Sequence, residues 1–214
     1  MGLFLNKTIN NHTILGLWHI SESSDELFQL LRWQYGEVKD DVYQKLQKLT
    51  VESRKQEWLA TRVLLNEMMQ RAVYVGYKES GQPYLINNNY SVSISHTKNF
   101  AAIIVSALPY VGIDIEKMSD RIYKVAPKFM HVKENKHIDP QNETFYLYLH
   151  WCAKETLFKL YNQSNVNFIE NLRISEIKKD KDFFKGSILT ENYSIDFDLH
   201  YLHFYDYLVV WACK

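Results

Sequence analysis

Residues 111–116 read Val-Gly-Ile-Asp-Ile-Glu, an alternation of apolar residues with small or acidic ones. This period of two predicts a β-strand with one side in the core and the other in solvent. We expect the β-branched residues to face the core and Gly112, Asp114 and Glu116 to share the opposite face. Two carboxylates at positions i and i+2 of a strand lie about 7 Å apart. The pair can hold one hard cation together with water or phosphate oxygens, or it can be an acidic strand edge in solvent.

The amino-acid composition is that of a globular protein, and 214 residues suffice for one large core or two small ones. The 25 basic and 25 acidic residues leave no net charge, whereas a nucleic-acid binder normally carries a basic excess. An aromatic content of 14% argues against disorder. We therefore expect a folded protein that does not bind nucleic acid. An anionic small-molecule site remains open, because such a site needs only a few cations.

Nothing in the sequence indicates a membrane or secreted protein. The first residues lack the charged and then apolar pattern of a signal peptide, and no apolar run approaches the ~20 residues of a membrane span. Cys152 and Cys213 fit neither a metal-binding spacing nor a disulfide framework. A reduced, cytoplasmic protein is the simplest interpretation.

Hydrophobic periodicity and turn residues divide the N-terminal part of the chain. Ser23 and Glu26 form a capping-box pattern, which predicts the start of a helix that continues through Trp33. His96 lies at a break between two predicted strands, a position from which its side chain can reach a ligand. A structural role, with the His hydrogen-bonded in a turn, explains this position equally well. In chain order we predict a strand at 14–20, the helix from Ser23, a long helix at 51–74, a turn at 79–84, and strands at 91–96 and 100–105.

The C-terminal part contains a second long helix and ends in strands. In this helix Trp151, Glu155 and Lys159 recur every four residues and share one stripe, a spacing that is also common in plain surface ion pairs. Pro127 interrupts a shorter helical pattern. In chain order we predict a helix at 121–130, a polar loop at 131–142, the long helix at 145–161, and strands at 183–190, 193–200 and 201–213 with a turn at 191–192.

Residues 106–109, Ser-Ala-Leu-Pro, are the best candidate for a boundary between two halves. We place the N-terminal half at residues 1–107 and the C-terminal half at residues 108–214. His96 and His203 each precede an aromatic residue and an apolar run, so the two halves close in a related way. A duplicated α+β unit explains this similarity, and a chance likeness of apolar strands explains it equally well.

The remaining polar residues form a set with one kind of chemistry. It contains the strand carboxylates, a helix with Lys154, Glu155 and Lys159, a turn His, and an earlier helix on which Arg54 and Arg62 share a face. A carboxylate pair with lysines nearby suits a divalent cation that holds phosphates. A carboxylate can also take a proton from a hydroxyl, and a lysine can stabilise a leaving oxygen. A solvated helix flank also explains the cations.

Two segments resemble the signature motifs of the 4′-phosphopantetheinyl transferases of the surfactin-synthetase-activating type. Residues 111–116 resemble G-(I/V)-D-x-E, and residues 151–159, Trp-Cys-Ala-Lys-Glu-Thr-Leu-Phe-Lys, resemble W-x-x-K-E-(S/A/T)-x-x-K. Upstream, residues 81–84 resemble the family's G-K-P segment, residues 95–97 its S-H-S segment, and residues 54–62 its first basic helix. Each motif alone is modest evidence, whereas the two signature motifs in this order are specific.

The resemblance implies an α+β fold of two similar halves in pseudo-twofold arrangement, with the active site at their interface. It implies transfer of 4′-phosphopantetheine from coenzyme A to a serine of an acyl or peptidyl carrier protein, with Mg²⁺ and with release of adenosine 3′,5′-bisphosphate. Asp114, Glu116 and Glu155 match the family's metal ligands, and Glu155 is also the favoured base for the carrier serine. Lys159 matches the lysine that helps the phosphate to leave.

The resemblance also implies which residues hold coenzyme A. Gln82 departs from the family, which mostly has Lys there, so a charged phosphate contact is lost or weakened. Glu134 aligns with a Glu that some members carry near the site. Arg62 and His96, with Arg54 or Lys55, match positions that bind chiefly the 3′-phosphate. The full expected set is Arg54, Lys55, Arg62, Gln82, Ser95, His96 and Lys154.

Two other functions stay open at this point. One is a non-catalytic module that binds coenzyme A or a carrier protein on the same fold, for which Gln82 is the support. The other is a metal-dependent phosphohydrolase that acts on a nucleotide. The expected transferase is a monomer, because both halves of the interface are in one chain. An acidic carrier helix would prefer a basic surface. The basic residues that could form such a surface are Lys117, Arg121, Lys124, Lys128, Lys133 and Lys136. An ordinary solvated helix explains these residues equally well.

Overall fold

The computed structural model of the chain describes residues 2–36, 40–136, 138–163, 165–175, 177 and 183–214, without the side chains of residues 40 and 41. Within these ranges the strands are β1 Leu3–Asn10, β2 Thr13–His19, β3 Val75–Tyr77, β4 Pro83–Leu85, β5 Ser91–Thr97, β6 Phe100–Ser106, β7 Val111–Lys117, β8 Leu172–Ile174, β9 Phe183–Leu189, β10 Ser194–Phe204 and β11 Tyr207–Cys213. The α-helices are α1 Ser24–Tyr35, α2 Asp40–Lys48, α3 Glu52–Met69, α4 Ile122–Val125, α5 Val132–Asn135 and α6 Glu143–Tyr161. None of these helices is long and apolar enough to cross a membrane.

The first sheet is antiparallel, with the strand order β1-β2-β6-β5. Helices α1 and α3 cover one of its faces, where Leu27 of α1 and Leu64 of α3 share a core with Ile103 of β6. α1 begins at the predicted capping box, in which the Ser23 hydroxyl accepts from the Glu26 N–H and the Glu26 carboxylate accepts from the Ser23 N–H. Each fully buried leucine contributes about 1.5–3 kcal/mol, so the apolar stripes fix both helices on the sheet.

The second sheet is also antiparallel, with the order β7-β11-β10-β9-β8. α6 crosses one face and buries Leu149 and Leu157 in a core shared with β9, β10 and β11. Gly112 of β7 lies directly beneath this helix, because a Cβ atom there would lie 2.6 Å from the Thr156 carbonyl oxygen. A side chain at position 112 would push α6 away from the strand that carries Asp114.

The two halves repeat one topology. Each half contains a strand, a long helix and a β-hairpin in this order along the chain. In the first half these are β2, α3 and β5–β6, and in the second half they are β7, α6 and β10–β11. The strand orders β2-β6-β5 and β7-β11-β10 also match. His96 is paired with Ala101 in the first hairpin, and His203 is paired with Leu208 in the second. The likeness of the two segments therefore follows from a repeated unit. The predicted α+β fold with two similar halves is confirmed.

A third core joins the two sheets face to face. It contains Ile104 of β6 on one side and Ile113 and Val209 of β7 and β11 on the other. Because α6 covers the opposite face of β7, residues 111–115 are all buried. The predicted strand is present, but the expectation of a solvent-facing side is wrong, and Asp114 is only 5% exposed. The division at residues 107/108 cuts neither sheet, and it stays a prediction because the halves share this core.

β7 also runs beside β5, and serine hydroxyls connect the two strands. The Ile113 N–H donates to Ser93 Oγ at 3.2 Å, and the Ile115 N–H donates to Ser95 Oγ at 3.4 Å. From the first bond to the second, the serine position and the amide position both increase by two, so β5 and β7 run parallel. Side chains of the first half thus hold the main chain of the second.

The C-terminal strands differ from the prediction. β10 is one strand through Phe204, so the predicted break between residues 200 and 201 is wrong. The chain turns at residues 205–206, where Tyr205 has a φ of 50° in the left-handed region. Tyrosine at such a position carries no turn signal in a sequence, which is why the patterns misplace the turn.

The segment between β7 and α6 is more helical than predicted. α4 ends before Pro127 as expected and continues as a 3₁₀ helix at Ala126–Lys128. The predicted loop at 131–142, of which residue 137 lies outside the described residues, contains α5 and a 3₁₀ helix at Pro140–Asn142. The sequence patterns also did not predict β1, α2, β3, β4 or β8, of which the last three have three residues each. The long helix predicted at 51–74 ends at Met69.

Candidate active site

The carboxylate of Asp114 lies at the centre of the site. Its Oδ1 accepts from Lys159 Nζ of α6 and from the Ser95 hydroxyl of β5, both at 2.8 Å. Its Oδ2 is buried and has no hydrogen-bond partner among the described residues. A buried carboxylate oxygen without a donor is unfavourable, and a bound cation or a ligand donor would satisfy it.

Two further carboxylates surround Asp114. Glu116 lies two residues later on β7, and its Oε1 accepts from the Trp151 Nε1–H of α6 at 3.2 Å. Burial raises the pKa of Glu116 to about 7, and repulsion by Asp114 adds to the shift. Burial likewise raises the pKa of Glu155 to about 7, again with repulsion by Asp114. The three acids lie close enough to repel one another, so a cation between them would stabilise their charged forms.

These carboxylates do not form a closed metal site by themselves. In the part of the chain that the structure describes, no group of three or more His, Cys, Asp or Glu side chains is placed to hold a metal ion. Their oxygen donors still suit Mg²⁺, which commonly takes one or two carboxylates and completes its shell with water and phosphate oxygens. Oδ2 of Asp114 is available for such a bond, because it has no other partner in the described chain.

Lys159 connects the carboxylates with a cavity. Its ammonium group donates to the Ile113 carbonyl at 2.9 Å as well as to Asp114 Oδ1, and its side chain is 25% exposed. The cavity has a volume of about 410 Å³ and lies between the two halves, with walls from α2, α3, β5 and α6. Its polar lining includes Lys45, Arg54, Arg62, Gln82, His96 and Lys159. The cationic excess of this lining favours an anionic ligand.

Arg62 is the most buried cation of the cavity wall, at 7% exposure. Its guanidinium lies 4.1 Å from the Trp58 ring centroid and donates to Thr61 Oγ1 at 2.8 Å and to Tyr77 Oη at 3.0 Å. Within the described ranges no carboxylate lies at ion-pair distance from it. A buried arginine held by neutral groups keeps an unbalanced charge, and a phosphate in the cavity would neutralise it.

Arg54 and His96 lie on the same wall and share one acidic neighbour. Arg54 is 2.8 Å from Glu57 Oε2, and Nδ1 of His96 is 3.4 Å from the same oxygen. Burial lowers the pKa of His96 from 6.5, and the Glu57 carboxylate opposes this shift. A neutral imidazole is therefore expected at pH 7. Of the two cations that the resemblance offers, Arg54 lines the cavity and Lys55 does not.

Gln82 lies in the cavity wall, where the family mostly has Lys, and two donors meet at its side chain. Its Oε1 accepts from Lys78 Nζ and from Asn162 Nδ2, each at 2.8 Å. Lys78 thus places an ammonium group next to the position at which Gln82 lacks one. Lys78 itself does not line the cavity, so its charge reaches the wall only through Gln82.

Lys154 does not line the cavity, which contradicts its expected contact with coenzyme A. Its side chain is 0% exposed, and Nζ donates to Phe129 O at 2.7 Å, Glu134 Oε2 at 2.8 Å and Phe168 O at 3.0 Å. Glu134 also accepts from the Ile174 N–H at 2.8 Å. All three ammonium donors are used, so Lys154 and Glu134 join α6 to α5 and β8 rather than binding a ligand.

Ser95 also lies apart from its expected role. Its hydroxyl donates to Asp114 Oδ1 and accepts from the Ile115 N–H, and the residue is 8% exposed. The structure therefore places the Ser95 hydroxyl with the carboxylates, whereas the resemblance placed it with coenzyme A. The next residue, His96, lines the cavity.

Sequence reasoning missed several residues of the site. Trp58 lies four residues before Arg62 on one helix face, and this spacing predicts their contact. Trp151 was on the stripe with Glu155, which also indicated a contact near the acids. Lys45 carried no signal, because α2 itself was not predicted.

The fold and the site define an α+β protein of two related halves with a cationic cavity beside a group of carboxylates. Two protein-family models match the chain in succession: the 4′-phosphopantetheinyl transferase N-terminal domain at residues 43–106 and the 4′-phosphopantetheinyl transferase superfamily at residues 110–212. Together they span most of the chain. A comparison with curated proteins found no match. The chain belongs to the 4′-phosphopantetheinyl transferase superfamily, and this membership implies transfer of phosphopantetheine to carrier proteins.

Proposed function

We propose that the protein transfers 4′-phosphopantetheine from coenzyme A to a serine hydroxyl of an acyl or peptidyl carrier protein, with Mg²⁺. The observation that carries this proposal is the position of Lys159. This residue lines a cavity with Arg54 and Arg62 and also donates to Asp114, so the wall suited to phosphates is continuous with the carboxylates. The surfactin-synthetase-activating subtype is finer than the family match and stays a prediction.

Mg²⁺ would bind at Asp114, Glu116 and Glu155, together with pyrophosphate oxygens of coenzyme A and water. The unpartnered Oδ2 of Asp114 and the mutual repulsion of the three acids support this assignment. When bound, the cation supplies charge that offsets the negative charge of the reacting phosphates. The carboxylates alone are an incomplete set in the described chain, so the cation should bind more tightly with coenzyme A present.

Glu155 is the proposed base for the carrier serine. A carboxylate at this position can take the proton of the serine hydroxyl as its oxygen attacks. As the serine oxygen forms its bond to the β-phosphorus of coenzyme A, the pyrophosphate bond breaks and adenosine 3′,5′-bisphosphate leaves. Lys159 stabilises the charge that develops on the leaving phosphate. Arg62, Arg54 and His96 hold the nucleotide part and keep it in the cavity.

Mass spectrometry of apo carrier proteins tests the proposal. With coenzyme A and Mg²⁺, a carrier substrate should gain the mass of one phosphopantetheine group. Glu155→Gln should lower the rate by roughly 10²- to 10⁴-fold, the usual effect of losing a general base. Glu143→Gln, an exposed change on the same helix, serves as the matched control. No mass gain with fatty-acid, polyketide and non-ribosomal peptide carriers would contradict the proposal.

The same assay separates the alternatives. Release of adenosine 3′,5′-bisphosphate without a carrier would favour a phosphohydrolase. Tight binding of coenzyme A without turnover would favour a binding module.

The carrier is proposed to dock on the basic segment that follows β7. Arg121, Lys124, Lys128, Lys133 and Lys136 are exposed there, while Lys117 pairs with Asp206 at 3.0 Å. The five exposed side chains have no ion-pair partner among the described residues, so they are free to meet an acidic helix. A monomer in the cytoplasm remains the expected state.

A further inference from the structure

The hydroxyl of Ser95 has no donor left for a phosphate oxygen. It donates to Asp114 Oδ1 at 2.8 Å and accepts from the Ile115 N–H at 3.4 Å. The residue is 8% exposed and lies between β7 and the rest of the first sheet. A serine that binds phosphate would have its O–H pointing into the cavity, and this one points at a carboxylate.

The two oxygens of Asp114 differ because of this contact. Oδ1 takes two donors, the Ser95 hydroxyl and the Lys159 ammonium, whereas Oδ2 takes none among the described residues, with the buried Cys152 thiol close to the carboxylate. Hydrogen bonds to a carboxylate are short and strong, and two of them on one oxygen fix the rotation of the group. Oδ2 is then held in one place with its lone pairs unused.

We infer that Ser95 is a positioning residue, which presents Asp114 Oδ2 to the cation rather than binding coenzyme A. The inference rests on the proposed function, because that function supplies the cation. Ser95 belongs to the first half and Asp114 to the second, while the neighbouring His96 lines the cavity. The bond from Ser95 therefore orients the proposed metal ligand Asp114. The same strand, β5, also carries His96 in the wall of the cavity. Groups that orient a metal ligand typically change metal affinity by roughly 10- to 100-fold when removed.

Ser93 provides a matched control on the same strand. Its hydroxyl accepts from the Ile113 N–H at 3.2 Å, as Ser95 does from Ile115, but it contacts no carboxylate among the described residues. Ser93 lines the cavity, so the comparison of the two variants without coenzyme A is the decisive one. Ser93→Ala and Ser95→Ala each remove one serine oxygen and one acceptor for a β7 amide. The difference between the two variants isolates the bond to Asp114.

The experiment measures Mn²⁺ binding by electron paramagnetic resonance, with Mn²⁺ in place of Mg²⁺, in the presence and absence of coenzyme A. Ser95→Ala should raise the dissociation constant for Mn²⁺ by about tenfold or more, and Ser93→Ala should change it by less than about twofold. At saturating metal, the KM for coenzyme A of Ser95→Ala should stay near that of the wild type. Thermal unfolding of both variants checks that each is folded.

Two results would overturn the inference. One is equal Mn²⁺ affinity in Ser95→Ala, Ser93→Ala and the wild type. The other is a raised KM for coenzyme A at unchanged Mn²⁺ affinity, which would return Ser95 to the nucleotide site. The binding measurement needs no carrier protein, so weaker Mn²⁺ binding by Ser95→Ala supports the inference even if no carrier is modified. That combination would count against the proposed transfer reaction alone.

Discussion

Substitution of Lys154 by methionine distinguishes a structural role of this residue from a substrate-binding one. Lys154 and Glu134 are 0% and 2% exposed, and their ion pair spans 2.8 Å. Methionine is similar in length but uncharged, so the variant leaves the Glu134 carboxylate buried without its cation. Removing one partner of a buried ion pair destabilises a protein by about 3–5 kcal/mol. The bonds of Lys154 to two backbone carbonyls are lost as well.

The expected effect is large enough to measure by calorimetry. In a protein of this size, 1 kcal/mol shifts Tm by about 2–4 °C, so Lys154→Met should lower Tm by roughly 6–20 °C. The double variant Glu134→Gln/Lys154→Met should recover part of this loss, because an amide carries no charge and can still accept from the Ile174 N–H. Well below Tm, the KM for coenzyme A should be unchanged in both variants.

The reasoning would be refuted by the opposite pattern. If Lys154→Met keeps the wild-type Tm but raises the KM for coenzyme A by about tenfold, Lys154 binds the substrate. The buried ion pair with Glu134 would then not be its role.

Titration of the carboxylates should change stability with an unusual sign. In protein free of divalent cations, the contribution of Glu155 to the free energy of unfolding should fall on the order of 3 kcal/mol as pH rises from about 4.5 to about 7, because Glu155 holds its proton to about 7 when folded but only to about 4.5 when unfolded. Glu116, whose pKa is raised in the same way, should add to this fall. Urea unfolding at several pH values measures the total. Arg62→Ala should raise the KM for coenzyme A by roughly 10- to 150-fold, which corresponds to the loss of a hydrogen bond to a charged group. The control Arg71→Ala changes an exposed arginine and should leave this KM unchanged. Steady-state kinetics of both variants measures the difference. Lys78→Ala should raise the same KM by roughly 1.5- to 5-fold, and Gln82→Lys in that background should restore it by returning a charge to the same place.

Each of these expectations has a contrary result. Stability that rises over the same pH range would mean that Glu155 is ionised in the folded protein. Equal effects of Arg62→Ala and Arg71→Ala would remove Arg62 from the site. A Lys78→Ala variant with wild-type KM, or no rescue by Gln82→Lys, would show that the charge of Lys78 does not reach the ligand.

The sequence predicted those parts of the site that depend on local pattern. The alternation at 111–116 placed Asp114 and Glu116 on one strand, and the four-residue spacing at 151–159 placed Glu155 and Lys159 on one helix face. The resemblance therefore brought the acids and Lys159 together before any contact was visible.

The parts that the sequence did not predict depend on contacts between distant segments. Whether Lys154 or Lys159 faces the cavity is decided by the position of α6 between β7 and α5, which adjacent positions in the chain do not reveal. The strand at 111–116 looked half exposed because the helix that covers its second face lies thirty or so residues later. Glu134 gave no strong signal either, because a buried acid is recognisable only once its partner is placed.

The hydroxyls of Ser93 and Ser95 fix the register between the two halves. They bond to amides two residues apart, Ile113 and Ile115, and a slip by one residue would turn Asp114 to the opposite side of its strand. The spacing of the two serine side chains, and not the length of the connection at residues 107–110, determines how β7 aligns with β5. A change in the interval between the two serines would therefore separate the Ser95 hydroxyl from Asp114.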